Sequence, residues 1–229
     1  MPSSSCAPRG PVWRHLDDLA TSTCEKSGLA LRVGALLGAM ILSGCAGPQL
    51  KAPVPARPLA ELHAAHLAAV SPYTHWRLLG RIAVQREDQG FSANLDWRES
   101  ESDYSLRVAA PLNGGTFALT GNAEAVSLAT PKGEIYRAAD AESLMREHLG
   151  WALPLAGTRY WVRGLPDPAH PVSGERLDAA GRWTDFAQDG WRVSVLEYTH
   201  TAAGDLPKRL FLAHDKLQVR MAIKSWEQP

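Results

Sequence analysis

From Trp76 onward the hydrophobic pattern of the chain has a period of two. Trp76, Leu78, Gly80, Ile82 and Val84 alternate with Arg77, Leu79, Arg81, Ala83 and Gln85; after a turn at Glu87 to Gly90, Ala93, Leu95 and Trp97 alternate with Ser92, Asn94 and Asp96. Only an extended strand puts every second side chain on one face, so these runs predict half-buried strands. Further short runs follow: Tyr104, Leu106 and Val108; Phe117 and Leu119; Val126 and Leu128; and residues 134–137. Asn113-Gly114-Gly115, Gly121-Asn122 and Pro131-Lys132-Gly133 separate them. A second set covers 181–188, 191–199, 207–213 and 217–226, the last with Leu217, Val219, Met221 and Ile223 on one face. Turn residues at this even spacing predict one antiparallel sheet of roughly ten strands. A sheet that large curls into a sandwich or barrel, whose concave side is either filled by side chains or left as a cavity.

Helical periodicity appears twice. Residues 59–70 place Leu59, Leu62, His66 and Val70 near one face, between Pro58 and a Ser71-Pro72 stop. His63 and His66 lie three apart on this helix, with no third ligand at a metal-binding spacing. Residues 140–150 open with Asp140 as an N-cap, carry Glu142 in the first turn, end at Gly150 and turn Leu144, Met145 and Leu149 inward. The stretch 151–166 is apolar and aromatic without clear period and is expected to pack on the sheet. Arg77, Arg81 and Arg163 could stabilise lid or strand ends, but are expected on solvated faces.

The N-terminal part bears on location. Lys26 and Arg32 precede an apolar run, Val33 to Leu42, which is too short to span a bilayer and has the length of a secretory signal. It ends in Leu42-Ser43-Gly44-Cys45, which resembles the lipobox of bacterial lipoproteins. There the thiol is alkylated by diacylglycerol, the chain is cut before the cysteine and the new amino group is acylated. The expected division is therefore 1–44 as N-terminal extension and signal peptide, 45–58 as a lipidated Pro- and Ala-rich tether, and 59–229 as the barrel domain. Cleavage before Cys45 leaves 229 − 44 = 185 residues. With 24 basic and 24 acidic side chains in the whole chain there is no basic footprint for nucleic acid, and three cysteines build no disulfide scaffold.

An ordered series of segments then resembles one family. Trp76 to Val84 (WRLLGRIAV), SANLDW at 92–97, LRVAAPLNGG at 106–115, DAESL at 140–144, LGWALP at 149–154, YWVRGLP at 160–166, Gln188-Asp189-Gly190-Trp191 and the last strand through Trp226 are similar to LolB, the outer-membrane lipoprotein receptor. Asn113 departs from the pattern, since many family members carry Gly directly after the loop Leu. The resemblance implies a half-open antiparallel barrel with a hydrophobic cavity and a helical lid. It also implies an anchor on the periplasmic face of the outer membrane, and Ala46 at the second mature position fits that destination. Such a receptor takes acylated lipoprotein cargo from the soluble periplasmic carrier LolA and inserts it into the inner leaflet, among outer-membrane lipids, acting as a monomer without cofactor. Under this reading Cys45 is the lipidation site and Pro111 and Leu112 form a membrane-delivery loop. Trp97, Leu106, Phe117, Leu119, Trp191, Val219 and Met221 are the cavity candidates, each equally open to ordinary core packing.

Catalysis has little support in the residues. There is no G-x-S-x-G elbow, H-E-x-x-H or phosphate-binding glycine loop, and Glu142 and Glu147, five apart on a helix, do not face one substrate. The rival reading is a structural envelope lipoprotein with a filled barrel.

Overall fold

The computed structural model describes residues 57–228 except 102, 112, 113 and 123; Cys45, most of the tether and Leu112 lie outside the described residues. β1 (Trp76–Arg86), β2 (Gln89–Ser100), β3 (Asp103–Ala109), β4 (Thr116–Gly121), β5 (Val126–Ala129) and β6 (Ile135–Ala138) form a first meander. β7 (Ser173–Leu177), β8 (Trp183–Gln188), β9 (Trp191–Thr201), β10 (Gly204–His214) and β11 (Leu217–Glu227) form a second. All eleven belong to one antiparallel sheet in the order β6-β5-β4-β3-β2-β1-β11-β10-β9-β8-β7, so β1 and β11 join the meanders at the centre while β6 and β7 are its edges. The strand beyond the expected ten is β7, whose sequence SGERL has no apolar alternation because it is an edge with four of its five residues exposed.

Burial follows the period of two. In β11, Val219, Met221 and Ile223 are buried and Arg220, Ala222 and Lys224 are exposed. The β8–β9 hairpin turns at Asp189 and Gly190, whose φ values of 51° and 77° fit the left-handed geometry that matches strand twist. Register shifts interrupt the central ladder. Leu79 pairs with Ser225 and Gly80 with Ile223, leaving Lys224 between them unpaired. In β9–β10, Tyr198 pairs with Pro207, Glu197 with Arg209 and Val195 with Leu210, leaving Lys208 and Leu196 unpaired. Bulges of this kind bend strands and strengthen twist. Gly80 is required at the first, since a Cβ there would collide with the Ala222 carbonyl oxygen.

Three helices cover the apolar face. α1 (Leu59–Val70) has the expected bounds, and His66 and Val70 of the expected stripe are buried, but Leu59 is 46% exposed and Leu67 packs on the core in its stead. The histidines explain this. His63 Nδ1 lies 2.7 Å from the Gly181 carbonyl oxygen and its ring sits edge-on to Trp183, while His66 sits edge-on to Tyr198. The stripe is therefore 63, 66, 67 and 70, a helical face with its imidazoles turned inward. Burial lowers the pKa of His66, more than Asp205 raises it.

α2 (Ala141–Leu149) forms as expected: Asp140 Oδ1 accepts from the Ser143 N–H at 2.7 Å, Gly150 takes the left-handed conformation, and Leu144 and Met145 are buried against β5 and β6. α3 (Leu155–Trp161) arises inside the unassigned stretch, started by Pro154. Its seven residues touch β2 through Arg159 and Glu99, and β8 through Trp161 and Gln188. The strands from β2 to β8 would span about 24 Å if flat, at about 4.8 Å per step, whereas the helix is about 10 Å long. The sheet must curl for one short helix to reach both, giving a half-open barrel with α2 and α3 linking its two edges across the concave side.

Candidate functional site

The concave face is built from rows of side chains in register across the strands. Leu78 on β1 pairs with Trp97, Trp97 with Leu106, Leu106 with Leu119, and Leu119 with Leu128. A second row joins Phe186, Val193, Leu212, Val219 and Val84 across β8, β9, β10, β11 and β1. Met221 lies between Leu210 and Ile82, and Phe117 pairs with Val108. Each neighbour in such a row extends the contact area of the next.

All seven cavity candidates lie on this surface. Trp97, Leu106, Leu119, Trp191, Val219 and Met221 are buried in the main apolar cluster and Phe117 is half-buried against it. Trp97 borders a hollow of about 350 Å³, open on one side to solvent, with Tyr104, Val126 and Leu155, beside α2 and α3. Trp191 borders another of about 380 Å³ with Trp151 and Leu217, and Glu142 reaches both. Burial raises the pKa of Glu142, and Asp140 adds to the effect. Between these spaces the interior is packed, with Trp76 against Trp97 at 5.3 Å and Trp161 tilted on Trp191 at 6.0 Å.

Polar contacts hold the lid. Glu99, 4% exposed, accepts from Trp97 Nε1 at 3.1 Å and is ion-paired with Arg159 of α3. Gln188 uses its whole amide: Oε1 accepts from Trp161 Nε1 and the Asp167 N–H, and Nε2 donates to the carbonyls of Asp167 and His170, all at 2.8 to 2.9 Å. Arg163 departs from the expected solvated position. It is 4% exposed and donates to the Tyr73 carbonyl at 3.0 Å, so it fastens the end of α3 to the segment entering β1; burial lowers its pKa. Arg77 is also engaged, donating to both Asp96 oxygens at 2.8 and 2.9 Å and to Glu227 at 3.0 Å, which ties β2, β1 and β11 together. Arg81 is exposed as expected.

Sequence reasoning missed Glu99, Arg159 and Gln188. A charged or amide residue on a strand gives no sign of its burial, although Glu99 continues the inward parity of Leu95 and Trp97. Pro111 is exposed, and its carbonyl accepts from the Gly114 N–H at 3.2 Å while Gly115 pairs with Ala110 at the loop base. Leu112 between them and Cys45, the expected lipidation site, lie outside the described residues. Among the described residues no group of three or more His, Cys, Asp or Glu side chains is placed to hold a metal ion, and no helix is long and apolar enough to cross a membrane.

The family described as "Outer membrane lipoprotein LolB" matches residues 74–226. A protein of Nitrosococcus oceani named Outer-membrane lipoprotein LolB is 33% identical over 192 residues, 84% of this chain and 94% of the relative. One of the same name from Pseudomonas aeruginosa is 34% identical over 187 residues, 82% of this chain and 91% of the relative. Among solved structures, a LolA superfamily protein from Nitrosomonas europaea is similar with a TM-score of 0.48 at 6% identity, over 75% of this chain and 93% of that one. A family match across every strand from β1 to β11 except the edge of the last, with relatives covered over nearly their whole length, places the chain in the LolB family of outer-membrane lipoproteins.

Proposed function

We propose that the protein is a receptor held on the periplasmic face of the outer membrane by acyl chains on Cys45 and the tether over 45–58, which accepts acylated lipoproteins from a LolA-type carrier and inserts them into the inner leaflet. It works as a monomer, without cofactor and without catalysis. The observation that carries this reading is the lid: an apolar concave sheet is closed by two short helices that connect its free edges and are latched by polar contacts, so the interior opens without unpairing a strand. An acyl chain of some fifteen methylenes costs on the order of 12 kcal/mol to expose to water at about 0.8 kcal/mol each, so cargo must pass between apolar cavities. The rows through Trp97, Leu106, Leu119, Val219 and Met221, with Phe117 and Trp191, supply such a surface once α2 and α3 lift, and the cavities of about 350 and 380 Å³ are where it begins.

Release is assigned to the loop after β3. Leu112 sits between Pro111 and the Gly pair, and partial insertion of one Leu contributes at most about 1.5–3 kcal/mol, enough to touch a bilayer and not to anchor there. The test transfers a labelled lipoprotein from a loaded carrier to the receptor and then to liposomes. Leu112→Glu should accept cargo at the parental rate and release it at least about tenfold more slowly, while Leu112→Phe should preserve delivery. Parental delivery by Leu112→Glu refutes the loop assignment. The alternative, a structural envelope lipoprotein with a permanently filled interior, predicts no saturable binding of a hydrophobic fluorophore; saturable binding displaced by cargo excludes it.

A further inference from the structure

The convex face carries a feature that cargo transfer does not use. One row runs across the central strands: Thr116, Ala109, Asn94, Arg81, Ala222 and Arg209 are paired neighbours on β4, β3, β2, β1, β11 and β10, four short side chains flanking two arginines. They floor a groove of about 940 Å³. Cations line it: Arg81, Arg107, Lys208, Arg209 and Lys224, against only Asp96 and Glu197. Both carboxylates are already engaged, Asp96 by Arg77 and Glu197 by Lys208 at 2.6 Å. Among the described residues Arg81, Arg107, Arg209 and Lys224 have no acidic partner.

Lys208, Lys224 and Leu196 are the three unpaired bulge residues, and all three lie on this outer face. Lys224 and Leu196 are there by alternation, whereas the extra residue in β10 turns Lys208 and Arg209 outward in succession. Leu196 lines an adjoining hollow of about 280 Å³ that shares Arg81, Arg209 and Ala222 with the groove. Leu196 is 64% exposed. Bulges that redirect side chains are built features of a sheet. Here two of the three carry a lysine and one a leucine.

We propose that this groove binds the phosphate-bearing headgroups of anionic phospholipids, docking the convex face of the sheet on the membrane to which the protein is anchored. Three observations favour a headgroup over an acidic protein surface. The groove is concave and within the roughly 300–1,000 Å³ of small-ligand sites; its lining contains no Trp or Tyr, the residues that anchor protein interfaces; and exposed Leu196 stands beside unpaired cations, the pairing that an interfacial membrane contact takes. Its floor also ends at Ala109 and Thr116, the pair at the base of the loop carrying Leu112, which chain length keeps within about 11 Å of Ala109. Resting on the reading of that loop as membrane-contacting, the groove would hold headgroups while the tip enters the apolar layer.

The test uses the full chain with Cys45→Ala, so that no acyl anchor contributes, and measures co-sedimentation with vesicles of phosphatidylcholine alone or with about one third phosphatidylglycerol. Each cation near an anionic surface contributes about fivefold, so Arg81→Gln/Arg209→Gln/Lys224→Gln should weaken binding to the anionic vesicles about 100-fold. A control triple, Arg137→Gln/Arg176→Gln/Arg192→Gln, removes the same charge from exposed cations outside the groove and should weaken it less than fivefold. Equal losses in the two triples, or no preference for anionic vesicles, overturn the proposal. So does a groove triple that binds vesicles normally but accepts cargo from the carrier slowly, which assigns the groove to a protein. Normal insertion with Leu112→Glu alongside headgroup binding lost only in the groove triple would refute the loop assignment and leave the groove standing.

Discussion

Replacing Arg159 by Met isolates what the lid latch contributes. Met keeps most of the apolar stem and removes the guanidinium, leaving the 4% exposed Glu99 carboxylate with the Trp97 N–H at 3.1 Å as its one remaining side-chain partner among the described residues. Breaking a buried pair by removing one partner costs about 3–5 kcal/mol. The Arg159 side chain is 30% exposed, so water reaches that side and the lower end applies, about 3 kcal/mol. For a domain of this size that lowers the melting temperature by about 6–12 °C. Urea denaturation of Arg159→Met, Glu99→Gln and the double variant closes a cycle. Because the Gln carbonyl still accepts from Trp97 while no bare charge remains, the double variant should recover at least about 1.5 kcal/mol of the loss. Arg159→Met within about 0.5 kcal/mol of the parent, or a double variant no better than the single, would show that the guanidinium does not neutralise a buried carboxylate and that α3 is held by packing alone.

Gly181→Ala should destabilise by more than about 1 kcal/mol and loosen α1, because Gly181 has φ 80° and an added Cβ would run into the α1 backbone at His63; hydrogen exchange of α1 amides reads it directly. Asp140→Ala removes the N-cap of α2 and should cost about 1 kcal/mol in denaturant titration, while Asp140→Asn should cost little. Burial holds the folded pKa of His66 below 6.5, so the unfolded chain takes up a proton first as pH falls and stability is lost from about pH 6.5 downward. His170, raised by its bond to Asp189, acts in the opposite sense, its contribution being present at low pH and lost as pH rises. The drop in denaturation midpoint between pH 7.5 and 5.5 should therefore be smaller in His66→Leu than in the parent, and larger in Asp189→Asn.

The strands were legible because the sheet has one buried face: a period of two survives wherever alternate residues leave water, and turns such as Asp189-Gly190 mark where it stops. α2 was legible for similar reasons, since Asp140 and Gly150 announce its ends. α3 was not, because a helix of seven residues buried on several sides shows no polar face, and Gly157 weakens its signal. β7 escaped because an exposed edge imposes no pattern. The stripe of α1 was legible at His66 and Val70 and not at Leu59, which is exposed, because a short helix filled with Ala and Leu leaves its rotation weakly specified; His63 on Trp183 was passed over because an imidazole ranks as polar. The apolar wall of the site followed from parity alone. Its polar latches did not, because a Glu or Gln buys its place in a core through partners distant in sequence, 60 residues away for Glu99 and Arg159.

The pairing of β1 with β11 has a consequence for how the chain matures. Every other pairing in the sheet joins strands adjacent in sequence, so each meander can form locally, but β11, which pairs with the centre strand β1, is the last element of the chain to be made. An outer-membrane lipoprotein reaches the periplasm N-terminus first. Until residues 217–227 emerge, β1 and β10 are both long, apolar, unpaired edges and the sheet exists as two separate ribbons, the condition in which strands recruit other chains. Truncation after His214 should accordingly yield an aggregating species rather than a smaller soluble one, and a nascent chain stalled at that length would be the form most in need of a holding chaperone.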